Sequence, residues 1–145
     1  MDCDICKKSY QELYNCSACQ TGLYCSVECQ AVDYPNHRLI CGRDPNVVVT
    51  EIINLAEQCN TDIIEEDLDD KTPRELAQLL RRGRRKLKKL NTMRRRAKRY
   101  LARLDADSGE NIQVLYSLEF SAVKRYAAQL KQSVVKKRRI EGDST

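Results

Sequence analysis

Seven of the eight cysteines and the only histidine fall within the first 43 residues, in the order Cys3-x2-Cys6-x9-Cys16-x2-Cys19-x5-Cys25-x3-Cys29-x7-His37-x3-Cys41. A segment this short buries too little apolar surface to fold unaided, so these side chains must staple it. Disulfides are one staple and metal is the other. The Met1-Asp2-Cys3 start carries no basic-then-apolar leader, which sets the expectation of an intracellular chain with reduced thiols. Two C-x-x-C pairs and a histidine set among the thiols point to metal. C-x-x-C aims two sulfurs at one ion, and Cys25/Cys29 and His37/Cys41, at i and i+4, each share one face of a helical turn. Eight soft donors make two closed tetrahedral sites and favour two Zn2+. The alternative, an iron–sulfur cluster, is disfavoured by His37. Spacing alone leaves open whether the ligands pair sequentially or in alternation.

The residues between the ligands carry a resemblance. Tyr24-Cys25-Ser26-Val27-Glu28-Cys29-Gln30-Ala31-Val32-Asp33-Tyr34-Pro35-Asn36-His37-Arg38-Leu39-Ile40-Cys41 is similar to the second half of a MYND zinc finger, Y-C-S-x-x-C-Q-x-x-D-W-x-x-H-K-x-x-C. It departs at Tyr34, where that family usually has Trp, and at Arg38 for Lys. The related HIT-type finger sets its histidine closer to the sixth ligand and fits less well. The resemblance implies interleaved sites, Cys3, Cys6, Cys25 and Cys29 on one zinc and Cys16, Cys19, His37 and Cys41 on the other. It also implies a surface for short, often proline-containing peptides of partner proteins, for which Ser26, Gln30 and Tyr34 are the candidate contacts. Tyr24 is expected in the core, and Ser26 and Gln30 could equally cap or pack the short helix.

Beyond the finger the composition changes twice. Residues 44–75 hold ten Asp or Glu against Lys71 and Arg74, whereas residues 81–103 hold thirteen Lys or Arg and no acid. Asp44-Pro45 starts a helix reaching about Asn60, with Val48, Ile52, Leu55, Ala56 and Cys59 on its apolar side, although Val47-Val48-Val49 favours strand. Cys59, outside the ligand register, is expected to be a buried helix-face residue. Residues 65–70 read as a solvated acidic connector. Thr72-Pro73-Arg74-Glu75 is a capping box with proline at the first helical position. A 4-3 seam follows: Leu76, Leu80, Gly83, Leu87, Leu90, Arg94, Ala97, Leu101 and Leu104, with Gly83 and Arg94 as its imperfections. After Asp105-Ala106-Asp107-Ser108-Gly109, a second seam runs Tyr116, Phe120, Val123, Ala127, Leu130, Val134.

The expected fold is a small zinc-stapled α+β finger (residues 1–43), a short helix and acidic linker (44–71), and an all-α basic region (72–145). That last region reads as a long antiparallel hairpin of helices 73–104 and 110–138. A parallel coiled-coil dimer is the alternative.

Like charges at i,i+4 repel, so the basic run calls for an anion: the chain's own acidic stretch, an acidic protein, or DNA or RNA. Arg81, Arg82, Arg84, Arg85, Lys88, Lys89, Arg94, Arg95, Arg96, Lys98 and Arg99 are the candidate nucleic-acid contacts. Lys136-Lys137-Arg138-Arg139 resembles a nuclear-localisation patch. No stretch reaches the ~18 apolar residues of a membrane helix, so no membrane partner is expected. An enzyme is not expected either, because the sole histidine is spent as a ligand and no nucleophile or phosphate-loop motif appears. The two functions that survive are a protein–protein adaptor and a nucleic-acid binder.

Overall fold

The computed structural model describes residues 1–143. It contains five α-helices: α1 (Val27–His37), α2 (Pro45–Gln58), α3 (Pro73–Arg103), α4 (Gly109–Ser117) and α5 (Phe120–Asp143). A short 3-10 turn occupies Glu65–Leu68. No strand forms among the described residues, so the β part of the expected α+β finger reduces to two isolated antiparallel bridges, Asp2↔Ser9 and Tyr14↔Tyr24. With turns forced by metal ligands every few residues, the chain has no run long enough for a ladder.

The helices divide between two units, Met1–Ile53 with Ile64–Arg82, and Asn54–Ile63 with the chain from Gly83 onward. These boundaries cut through α2 and α3 rather than following the compositional shifts. Each helix has an apolar face long enough for its two halves to serve different cores.

In the first unit α2 starts on Asp44, whose carboxylate accepts from Asn46 N–H at 2.9 Å. Helix α3 starts on the expected capping box: Glu75 N–H donates to Thr72 Oγ1, which donates to Glu75 Oε1, both at 3.2 Å. Val48, Ile52, Leu68, Leu76, Ala77 and Leu80 are buried. The β-branched run at 47–49 is helical because burial of Val48 outweighs its modest propensity cost.

In the second unit α2 ends on Asn60 with φ 54°, and α3 on Asp105 with φ 55°. Each left-handed residue turns the next N–H back five residues, Thr61 to Ala56 O at 2.8 Å and Ala106 to Leu101 O at 2.9 Å, so both helices close with the same C-terminal motif. The core joins Cys59, Leu90, Ala97, Leu101, Leu115, Val123 and Leu130. Gly83, an apparent flaw in the seam, admits Leu55: a Cβ there would lie 3.2 Å from Leu55 Cδ1.

The single return helix expected over 110–138 is corrected by the structure. Helix α4 runs back along α3, bringing Tyr116 onto Arg94. It then stops at Leu118, which is extended at φ −79°, ψ 143°. Helix α5 reverses again. Its start, Phe120, lies under Lys86, and Lys137 donates to Arg103 O at 2.8 Å. Both pairs of residues are separated by about 25 Å of helix at 1.5 Å per residue, so α5 runs parallel to α3. The unit is an up-down-up arrangement of three helices.

Candidate metal centres and basic face

Two knuckles open the finger, and they are built alike. Lys7 and Gln20, each following the second cysteine of a C-x-x-C pair, take φ 63° and φ 62°. Their N–H groups return to Cys3 O at 3.0 Å and Cys16 O at 2.8 Å. Helix α1 then brings Cys29 beside Cys25, and its last turn brings His37 beside Cys41. Ser26 is its N-cap, accepting from Cys29 N–H at 3.3 Å.

These elements gather Cys3, Cys6, Cys25 and Cys29 in one cluster and Cys16, Cys19, His37 and Cys41 in another, all ligand atoms of each lying within 4.8 Å of one another. The sulfurs are not bonded: all the cysteines are free thiols. Cys6 Sγ lies 3.7 Å from Cys25 Sγ, Cys25 Sγ 3.5 Å from Cys29 Sγ, and Cys16 Sγ 3.7 Å from Cys41 Sγ. A tetrahedron with zinc–sulfur bonds of ~2.3 Å has edges of ~3.8 Å, so these separations fit zinc. Cys19 Sγ to His37 Nε2, at 3.2 Å, is slightly tight for the mixed edge.

Metal-free, such clusters cannot ionise all their thiols. Burial opposes ionisation of Cys3, but N–H groups of Cys6, Ile5 and Cys25 outweigh it and bring it down to about 6. For Cys19, burial is likewise outweighed by the Thr21 hydroxyl and N–H, again to about 6. The Cys25 sulfur pushes Cys29 up to about 11, and burial together with Cys19 and Cys16 does the same to Cys41. A divalent cation removes this conflict.

Behind the clusters lies a network that residue spacing did not reveal. Tyr24 is fully buried, its ring edge-on to His37 with centroids 6.5 Å apart. Its hydroxyl donates to Asp33 Oδ2 at 2.5 Å. Arg74 donates to the same oxygen at 3.2 Å and to Asp4 O at 2.8 Å. Gly22, at φ 83°, leaves room for that ring: a Cβ would come within 2.7 Å of Tyr24 Oη. The one available sequence signal was Arg74, one of two cations in an acidic stretch.

Of the three candidate peptide contacts, Ser26 is spent on its capping bond, Gln30 is half-buried, and Tyr34 stands exposed. The basic candidates also separate. Arg82, Arg84, Arg85, Lys88, Lys89, Arg95, Arg96 and Arg99 are exposed. Arg81 is half-buried and donates to Asn36 Oδ1 at 2.9 Å. Lys98 is half-buried, 4.7 Å from the Tyr116 ring centroid.

Arg94 is the clear correction, being only 5% exposed and unable to reach nucleic acid. Its guanidinium lies 4.8 Å from the Tyr116 ring centroid and donates to Gln58 O at 3.1 Å and Tyr116 O at 3.5 Å. These carbonyls end α2 and α4, so Arg94 places a cation against the negative ends of two helix dipoles. Asn60 Nδ2 completes the junction with Tyr116 O at 2.8 Å and Leu118 O at 2.9 Å.

Two closed four-ligand clusters cross-braced through one short helix define a two-site structural zinc finger. Residues 3–41 match the family model described as the MYND finger, and this segment is a MYND finger carrying two zinc-binding sites. Similar segments occur in N-lysine methyltransferase SMYD2 of Sus scrofa and of Homo sapiens. Each is 40% identical over 55 residues, 38% of this chain and 12% of the relative. SET domain-containing protein 14 of Caenorhabditis elegans is 46% identical over 56 residues, 37% of this chain and 13% of the relative. The chain thus spans about an eighth of the curated relatives it matches. No solved structure matches it. No helix among the described residues is long and apolar enough to cross a membrane.

Proposed function

We propose that the chain is a non-enzymatic adaptor whose finger captures a short peptide segment, proline-containing by the family resemblance, of a partner protein. One observation carries this reading: α1 leaves Val27 and Tyr34, seven residues apart on one face, exposed at 78% and 59%. Apolar side chains in water on a metal-braced helix form a rigid surface with a reason to be covered. Both ligand sets consist of four protein donors, which leaves no open coordination position for catalysis. The test is titration of proline-containing peptides into the zinc-loaded chain. Tyr34→Ala should weaken binding about tenfold or more, as truncation of an aromatic anchor does, with zinc content unchanged. Equal binding by the variant would overturn the reading.

A second reading, nucleic-acid binding, is favoured by the one-signed surface of α3. Arg85, Lys88, Lys89 and Arg96 are exposed, and no ion pair involves them among the described residues. A nuclear site of action accords with this reading and with Lys136–Arg139 at the end of α5.

A further inference from the structure

In the second unit, a groove of about 800 Å3 lies between α3 and α5. Arg85, Lys88, Lys89 and Arg96 line one wall, Lys124 the other, and Met93 and Phe120 are its apolar residues. No acid lines it. Met93 and Phe120 remain partly exposed, and Lys86 Nζ stands 6.0 Å from the Phe120 ring centroid.

We infer that this groove holds a single strand of nucleic acid, its phosphates on the five lining cations and a base against Phe120. The inference rests on the nucleic-acid reading above and deepens it. No ion pair involves the five cations among the described residues, and a partner with charge at regular intervals matches their spacing. Positions 85, 88/89 and 96 span about 16 Å of helix, and a polynucleotide offers one charge per nucleotide along that length. A peptide would have to be acidic at nearly every step. The apolar residues separate strand from duplex. A base in a single strand exposes its π-face to an aromatic ring, whereas a duplex buries those faces and shows only edges. A lone helix of ~10–12 Å diameter can enter a major groove ~12 Å wide. The second wall of the groove is α5, so Phe120 and Lys124 cannot follow α3 into a major groove of that width.

The test is fluorescence anisotropy with the full zinc-loaded chain. The probes are a labelled oligothymidylate of about 20 nucleotides, longer than the ~16 Å stripe needs, the same strand paired with oligoadenylate, and labelled polyglutamate. The strand should bind about tenfold more tightly than the duplex, because one base stacks. Its log affinity should fall with log salt by about 0.7 per phosphate engaged. The combined Arg85→Gln, Lys89→Gln and Arg96→Gln variant, altered only at exposed positions, should lose about 2 from that slope. Phe120→Leu keeps apolar bulk, and should weaken strand binding about fivefold to tenfold with the slope and circular dichroism unchanged. If the duplex binds as well or better and the charge variant still flattens its slope, the single-strand inference falls and the nucleic-acid reading stands. If the oligonucleotides do not bind at low salt and polyglutamate does, both fall. Strand binding unaffected by the charge variant would remove the groove as the site.

Discussion

Arg94 illustrates how a charge can be structural where its neighbours are not. Removing it takes the donor from the Gln58 carbonyl, leaves the Tyr116 carbonyl to Asn60 alone, and empties buried space beside Tyr116. Arg94→Ala should therefore cost about 3 kcal/mol in urea unfolding, whereas exposed Arg95→Ala should change it by less than about 0.5 kcal/mol. Gly22 is the finger's counterpart. Gly22→Ala combines a left-handed backbone strain with a collision against the Tyr24 ring, and should destabilise the finger by about 2 kcal/mol. Zinc release to a chromogenic chelator should then begin at lower chelator concentration. The metal itself imposes a pH dependence, because thiols must be deprotonated to bind. In the metal-free clusters Cys29 and Cys41 sit at about 11, so they are protonated at neutral pH and zinc must displace their protons. Binding should release protons, and affinity should rise with pH and fall in acid. Calorimetry in buffers of different ionisation enthalpy measures the protons released.

At the scale of the helix, Gly83 and Leu55 are a coupled pair. Alanine in a helix interior is better than glycine by about 1 kcal/mol, yet its Cβ would meet Leu55 Cδ1 at 3.2 Å. Gly83→Ala should gain little or nothing alone and stabilise by about 1 kcal/mol in a Leu55→Ala background, an interaction a double-mutant cycle detects. This scale also shows which elements were readable. The ligands were legible because few residue types bind zinc and their spacing is mechanical. The α2 and α3 starts were legible because Asp44, Thr72 and Glu75 make local bonds. The break at Leu118 was not legible. Tyr116 and Phe120 keep helical spacing across it, no glycine or proline marks it, and the bonds that hold it come from Asn60, 58 residues away. Arg94 read as a surface cation because its acceptors are carbonyls, and a carbonyl has no sequence identity.

For the whole molecule, both ligand clusters found among the described residues lie in the first unit, and none of their members belongs to the core of the second. Chelation should abolish the structure of residues 1–41 while leaving most helical ellipticity, since α4, α5 and much of α3 need no metal. A collapse of the entire far-ultraviolet signal would contradict that. The alternating order of the two ligand sets has a topological result as well. Zinc on the first cluster bridges residues 3–6 to 25–29, and zinc on the second bridges 16–19 to 37–41. Every peptide bond between Cys6 and His37 is therefore spanned by at least one metal bridge. After a protease cut anywhere in that interval, the pieces should still travel as one body in native mass spectrometry, parting only on addition of chelator. Under sequential pairing no metal would bridge a cut between Cys19 and Cys25, and the two zinc-bound halves would part. The finger is to that extent a closed clasp, whose integrity is carried by coordination even after its backbone has been severed.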